Sequence, residues 1–254
     1  MDGRGTFAPA PGPAPALRRV MAQAAMELRL QLRNGEQLLL TLAIPILVLV
    51  VFSIAPVLGE RNRVDFLLPG VIGLAVMSTA FTGQAIATGF DRRYGVLKRL
   101  GATPLGRSGL ILGKTTAMLG VEAIQVLVLG LVAWGLGWRP HGSVPTALLL
   151  ILVGTAAFSG LGLLLAGLLR AEATLGAANL VYLILLVVGG VVFPVSDLPS
   201  GLQRPAELLP ITALTEGLRA ALGEGGGLQL RDLAELAAWA ILGAGLASAT
   251  FHWE

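Results

Sequence analysis

Apolar residues along this chain come in long runs, broken by short basic or proline-marked stretches. Leu38–Leu58, Leu67–Phe90, Val144–Leu169 and Thr174–Val195 contain no charged residue. Thr115–Trp138 contains only Glu122, and Leu233–Trp253 only Glu235. About 20 apolar residues at 1.5 Å per residue cross roughly 30 Å of hydrocarbon. The pattern therefore predicts six transmembrane helices, over about 38–58, 67–90, 109–138, 144–169, 174–195 and 233–253. The predicted fold is all-α and integral to a membrane.

Two further stretches have helical spacing without the length or apolarity of a span. In 17–36, Leu17, Val20, Met21, Ala24, Leu28 and Leu32 share one face, with Arg18, Arg19, Arg29 and Arg33 on the other. This predicts an interfacial helix lying on the cytoplasmic leaflet, arginines near anionic headgroups. In Ser196–Asp232, Leu198, Leu202, Leu208, Leu209, Leu214, Leu218 and Leu222 recur between Pro199, Pro205 and Pro210. Short re-entrant helices dipping into the outer leaflet fit this better than a free loop, because bare backbone cannot face lipid.

Composition narrows the class. Of 254 residues, 55% are apolar and 13% charged, with a mean hydropathy of +0.79. A soluble domain carries about 25% charged residues, so an ordinary cytosolic enzyme, a disordered chain and a disulfide scaffold are excluded. With no cysteine and two histidines, His141 and His252, one chain cannot build a multi-histidine metal centre. The first apolar run begins at Leu38, too late for a signal peptide. Residues 1–16 hold Pro9, Pro11, Pro13 and Pro15 and read as an extended, unpacked and uncleaved tail.

Charge sets the expected orientation. One side carries Arg4, Arg18, Arg19, Arg29, Arg33, Arg92, Arg93, Lys98, Arg99, Arg107 and Arg170. The other carries Arg61, Arg63, Arg139, Arg204, Arg219 and Arg231. The more basic side faces the cytoplasm, which puts both termini there.

Two local patterns suggest chemistry and are outweighed, and a third stays open. Ser108–Thr115 reads SGLILGKT but has Ser108 where a phosphate-binding loop needs glycine; Lys114 reads as a side chain snorkelling to the interface. Ser159 and His252 could be paired as in an intramembrane protease, yet Ser159, Gly160 and Gly162 read better as a helix-packing face. Glu122 is an acid deep in a span, expected to bond a neighbour such as Gln125 or to face a pathway.

Asp91–Arg107, DRRYGVLKRLGATPLGR, is the most informative stretch. It predicts a short basic amphipathic helix, with Leu97 and Leu100 as an apolar edge beside Arg92, Arg93, Lys98 and Arg99, ended by Pro104. A positive-inside anchor explains the charges but not a helical loop of this length, whereas a docking element for a soluble partner does. Asp91, Arg92, Gly95, Leu97, Leu100, Thr103, Pro104, Leu105 and Arg107 resemble the coupling-helix segment of ABC-type transporter permeases of the type-2 (drug and lipid exporter) family; Arg93 and Val96 depart from that pattern. Phe193, Pro194, Leu198, Pro199, Leu209, Pro210, Glu216 and Arg219 are similar to the family's external segment before the last span.

The resemblance covers 17–254 and implies a six-span, non-catalytic permease in the cell membrane that exports a hydrophobic drug-like or lipid-linked substrate. Its implied partners are a second permease, identical or related, and two ATPase subunits. ATP and Mg²⁺ would sit on those subunits, with no cofactor and no nucleic acid bound here. Asp91, Arg92, Arg93, Tyr94, Gly95, Leu97, Lys98, Leu100, Thr103 and Pro104 would couple to the ATPase, with Leu97 filling one of its pockets and Gly95 permitting close approach. Phe193, Pro194, Leu198, Pro199, Pro210, Glu216 and Arg219 would form an external gate, and Glu122 and Gln125 are candidates for a pathway. The first and fifth spans would form the permease dimer interface. The alternative is a lipid-embedded enzyme, a protease or a prenyl or phosphoalcohol transferase, although no DxxD-type acidic cluster that would hold Mg²⁺ is present.

Overall fold

The computed structural model describes residues 12–54, 63–139, 141–223 and 226–250. Among them all regular structure is helical. The chain runs through α1 (Ala16–Arg33), α2 (Gly35–Ile54), α3 (Arg63–Val76), a π-helical stretch (Met77–Gly83), α4 (Gln84–Arg93), α5 (Val96–Gly101) and α6 (Gly106–Gly135). It continues through α7 (Val144–Leu168), α8 (Ala171–Val188), a 3₁₀ turn (Val195–Asp197), α9 (Ser200–Glu207), α10 (Pro210–Leu222) and α11 (Leu230–Thr250).

Among the described residues five helices are long and apolar enough to cross a membrane: Val64–Arg93, Gly106–Gly135, Val144–Leu168, Ala171–Val188 and Leu230–Thr250. These cover the second to sixth expected spans. Of the first, Thr41–Ile54 is apolar and helical, and residues 55–58 lie outside the described residues, as do residues 1–11 of the tail. The expected fifth span, Thr174–Val195, stops early at Val188. Gly189 follows, then Gly190 at φ +69°, a left-handed conformation that ends the helix.

Local chemistry fixes other ends. Ser143 caps α7 by accepting from the Thr146 amide at 3.3 Å, with Pro145 in the first turn. At the C-terminus of α6, Arg139 donates to the Trp134 and Trp138 carbonyls at 3.1 and 2.8 Å.

The stretch from α3 to α4 is the centre of the bundle. Leu67, Leu74, Met77 and Phe81 pack with Leu150 and Phe158 of α7 and with Leu214 and Leu218 of α10. Lipid is as apolar as leucine, so close backbone approach rather than the hydrophobic effect holds such helices together. A Cβ on Gly160 would lie 2.7 Å from the Ala244 amide of α11, and one on Gly162 would lie 2.7 Å from the Phe81 carbonyl. The small-residue face on α7 is therefore a packing seam, and His252 lies outside the described residues.

Helix α1 forms where the spacing predicts a helix. It packs along the first half of α6, where Gly109, Gly113 and Gly120 admit Val20, Gln23 and Leu28. The residues it buries are Gln23, Ala24 and Glu27, while Leu17, Met21 and Leu32 of its apolar face stay exposed. The stripe it turns inward is mixed, with Gln23 and Glu27 beside Val20, Ala24 and Leu28.

Candidate functional site

The segment after α4 is a helix, a turn and a second helix rather than one amphipathic rod. Helix α4 ends at Arg93, and Gly95 at φ +70° reverses the chain into α5. A Cβ on Gly95 would meet nothing within 4 Å. Glycine is needed there for its left-handed backbone, at roughly 1 kcal/mol for any other residue, and not for close approach.

Three charged side chains anchor this turn inside the chain. Arg92 donates to the Gly167 carbonyl at 2.9 Å and to that of Leu169, satisfying the last carbonyls of α7. Arg93 pairs with Glu172 in the first turn of α8. Asp91 accepts from Lys114 of α6 at 2.7 Å. Lys114 also meets Glu27 of α1 at 2.8 Å, and Gln23 donates to Glu27 at 2.9 Å.

The Lys114 side chain is only 2% exposed. It does not snorkel to an interface; its ammonium is enclosed by two carboxylates from two different helices. With three donors and no acceptor, one lysine ties α1, α4 and α6 at one point.

Leu97 is also internal. It is 1% exposed and packs on Leu110, with Leu100 and Leu105 at the edge. It cannot fill a pocket of another protein, and its role is to seat α5 on α6. The outward surface is instead Tyr94, Lys98, Arg99, Thr103, Pro104 and Arg107. Tyr94 is 68% exposed, stacked on Phe90, with Arg93 over its ring. Thr103 donates to the Leu100 carbonyl at 2.6 Å and closes α5. Leu97→Asn is thus expected to loosen α5, a buried leucine truncation being worth about 2–5 kcal/mol. Faster tryptic cleavage after Lys98 and Arg99 in the intact chain is the readout.

A second polar group lies inside the bundle, around the π-helical stretch. Such stretches widen the helix and recur at functional positions. Thr79 donates to Gln125 at 3.1 Å, and Gln125 donates to the Thr41 carbonyl at 3.2 Å. Gln84 donates to Ser159 at 2.6 Å, and the Ser159 and Thr115 hydroxyls are 2.6 Å apart. Glu122 does not bond Gln125; it accepts from Thr155 of α7, and its other oxygen has no hydrogen-bond partner among the described residues. A cavity of about 190 Å³ extends between α1, α2, α4 and α6, from Glu27 and Asp91 to Thr79 and Thr41. Gln125 stands at its inner end through Thr79, while Glu122 belongs to the α6–α7 contact.

At the opposite end of the bundle Arg219 of α10 gathers the chain. It donates to Glu216 at 2.8 Å, to the Gly190 and Val191 carbonyls at 2.5 and 3.2 Å, and to the Phe66 carbonyl at 3.3 Å. Its guanidinium lies 3.9 Å from the centre of the Phe66 ring. Burial pushes this guanidinium below its ordinary value, and the Glu216 carboxylate works in the opposite direction. A Cβ on Gly70 would sit 2.1 Å from the Val191 carbonyl, so α3 and the turn after α8 are in backbone contact. Phe193 meets Phe52 of α2 edge to face. Pro210 starts α10, Pro194 and Pro199 precede the 3₁₀ turn and α9, and Gln203 donates to the Leu198 carbonyl at 2.8 Å.

The chain carries no strand among its described residues, a helical bundle, a basic turn at one end and a cross-tied short helix at the other. Residues 19–222 match the model of the ABC-2 type transporter family. The chain belongs to that family. It is the transmembrane domain of an ABC-2 type transporter and a multi-pass membrane protein. It is also 27% identical over 183 residues to ABC transporter G family member 20 of Dictyostelium discoideum, covering 70% of this chain. It spans about a quarter of that relative's length.

Within this ABC-2 domain, sequence reasoning missed Glu27, Gln23, Thr79, Gln84, Thr155 and Ser159 as site partners. Glu27 had a visible signal. It is the one acid in α1, and Lys114 the one lysine of the third run, each costly near a membrane without a partner.

Proposed function

We propose that this domain is the non-catalytic permease of an ATP-driven exporter. It has six spans, α2 with 55–58 being the first, and both termini are cytoplasmic at the cell membrane. Two ATPase subunits would dock on the outward face of the α4–α5 turn, at Tyr94, Lys98, Arg99, Thr103 and Pro104. The observation that carries the reading is the Lys114 tie, which joins that turn to α1 and α6. A push on the turn therefore reaches the bundle through fixed ion pairs and packing.

The cavity between α1, α2, α4 and α6 has a mixed polar and apolar lining and suits loading of an amphipathic or hydrophobic molecule. The α9–α10 element, held by Arg219 to α3 and to the turn after α8, would close the far end. Alternating access needs contacts that differ between two states, and the ties at both ends are where such differences would arise. A second copy or a related permease would pack on α2 and α8, whose Leu47, Val51, Leu180, Leu183 and Val187 are exposed. ATP and Mg²⁺ belong to the ATPase subunits.

Co-expression with candidate ABC ATPases of the same genome, purification, and reconstitution into vesicles test this. The expected result is a complex of two permeases and two ATPases that moves a hydrophobic dye only with ATP. A permease that purifies without any ATPase and moves dye independently of ATP would overturn the reading.

A further inference from the structure

At the end of the bundle that carries Arg219, the mouth between α9, α10 and the start of α11 is a cavity of about 370 Å³. Four carboxylates line it: Glu207, Glu216, Asp232 and Glu235. Two guanidiniums answer them incompletely. Arg219 is committed to Glu216 at 2.8 Å and to three carbonyls, and Arg231 stands 3.9 Å from Glu207 with both side chains more than half exposed. Arg231 also lies near enough to attract Asp232 and Glu235 without an ion pair to either among the described residues, so four carboxylates share two guanidiniums and the cavity carries excess negative charge.

The second observation is independent of the count of acids. Asp232 is 8% exposed, and its Oδ2 has no hydrogen-bond donor among the described residues; nor has Glu235 Oε1. The Asp232 carboxylate lies against Gly217 of α10, where a Cβ would be in ordinary contact with Oδ2 at 3.4 Å, and an alkyl surface offers it no donor. A buried acceptor without a donor is costly. Two such acceptors in one cavity, with Arg231 shared among three acids, leave room for a cationic donor from outside the chain.

We infer that this mouth is a binding site for an organic cation, an ammonium or amidinium carried on a larger apolar body. No three of these acids, nor any other His, Cys, Asp or Glu group among the described residues, converge closely enough to hold a metal ion. The carboxylates are spread around the cavity, a geometry that suits a delocalised or bulky cation rather than a small one. Pro194 and Val195 supply an apolar wall. The inference rests on the transporter reading and deepens it: cargo leaving through this mouth would be cationic and amphiphilic.

The test is equilibrium binding of the fluorescent cation 4-(4-(dimethylamino)styryl)-N-methylpyridinium to the full chain in nanodiscs, against empty nanodiscs. Saturable binding is expected, displaced by benzyltrimethylammonium and not by the uncharged styrylpyridine, and weakened about tenfold or more by Asp232→Asn with Glu235→Gln. Displacement on the unaltered chain holds the test even if the variant folds poorly. Equal signal from wild type, variant and empty nanodiscs overturns the site, and displacement by Mg²⁺ or Ca²⁺ in preference to the ammonium overturns its organic character. Binding needs no ATPase. Loss of cation binding with ATP-driven transport intact therefore rejects this inference alone, and cation binding without a retained ATPase rejects the transporter reading alone.

Discussion

Lys114→Met is expected to destabilise the α1–α4–α6 junction by about 3–5 kcal/mol, because it leaves Glu27 and Asp91 charged and unpaired. The carboxylates are 11% and 29% exposed, so water relieves Asp91 more than Glu27. The distinguishing result is rescue. Lys114→Met combined with Glu27→Gln and Asp91→Asn removes the stranded charges and is expected to recover most of the loss, since neutral groups of similar shape replace the triad. Thermal inactivation midpoints of the unaltered chain, the single variant and the triple variant, measured in the same detergent, check this. If lysine merely filled space, the single and triple variants would lose stability equally.

The second large effect is at the other end. Arg219→Met removes donors from the Phe66, Gly190 and Val191 carbonyls and leaves Glu216, 46% exposed, to water. Breaking one partner of a buried charge-assisted set costs about 2–5 kcal/mol. Arg219→Lys is expected to recover only part, because an ammonium cannot reproduce the planar fork that reaches α3 and the turn after α8 together. The functional outcome expected is retained ATPase binding and ATP hydrolysis with little transport. ATPase activity and dye movement measured on the same vesicles separate them; a proportional fall in both would show that the outer tie serves folding only.

The apolar runs were enough to place five helices within a few residues, since length and absence of charge define a span. Ends were less legible. Nothing in the apolarity of Thr174–Val195 says that Gly189 and Gly190 stop the helix, because that depends on a left-handed backbone at Gly190. On α1 the spacing pointed to an apolar stripe for the interface, of which Leu17, Met21 and Leu32 are exposed while Val20, Ala24 and Leu28 pack inward. It did not show that the polar side chains between them find partners inside the chain, as they must beside lipid. Gln23 and Glu27 do so through Lys114. Leu97 looked outward beside Lys98 and Arg99, and only the packing of α5 on Leu110 shows that the helix faces the other way. The acid at Glu122 was visible in sequence, whereas its partner Thr155, thirty-three residues on, was a tertiary fact.

The central claim is that the outward face of the α4–α5 turn is where an ATPase docks. Photocrosslinking from single positions in the intact transporter complex tests it most directly, with a photoreactive residue placed at Arg99, at Thr103 or at Leu97. The expected result is a crosslink to the ATPase subunit from Arg99 and Thr103, and none from Leu97, which is 1% exposed inside the chain. Crosslinks from Leu97 alone, or no ATPase crosslink from Arg99 and Thr103, would contradict it.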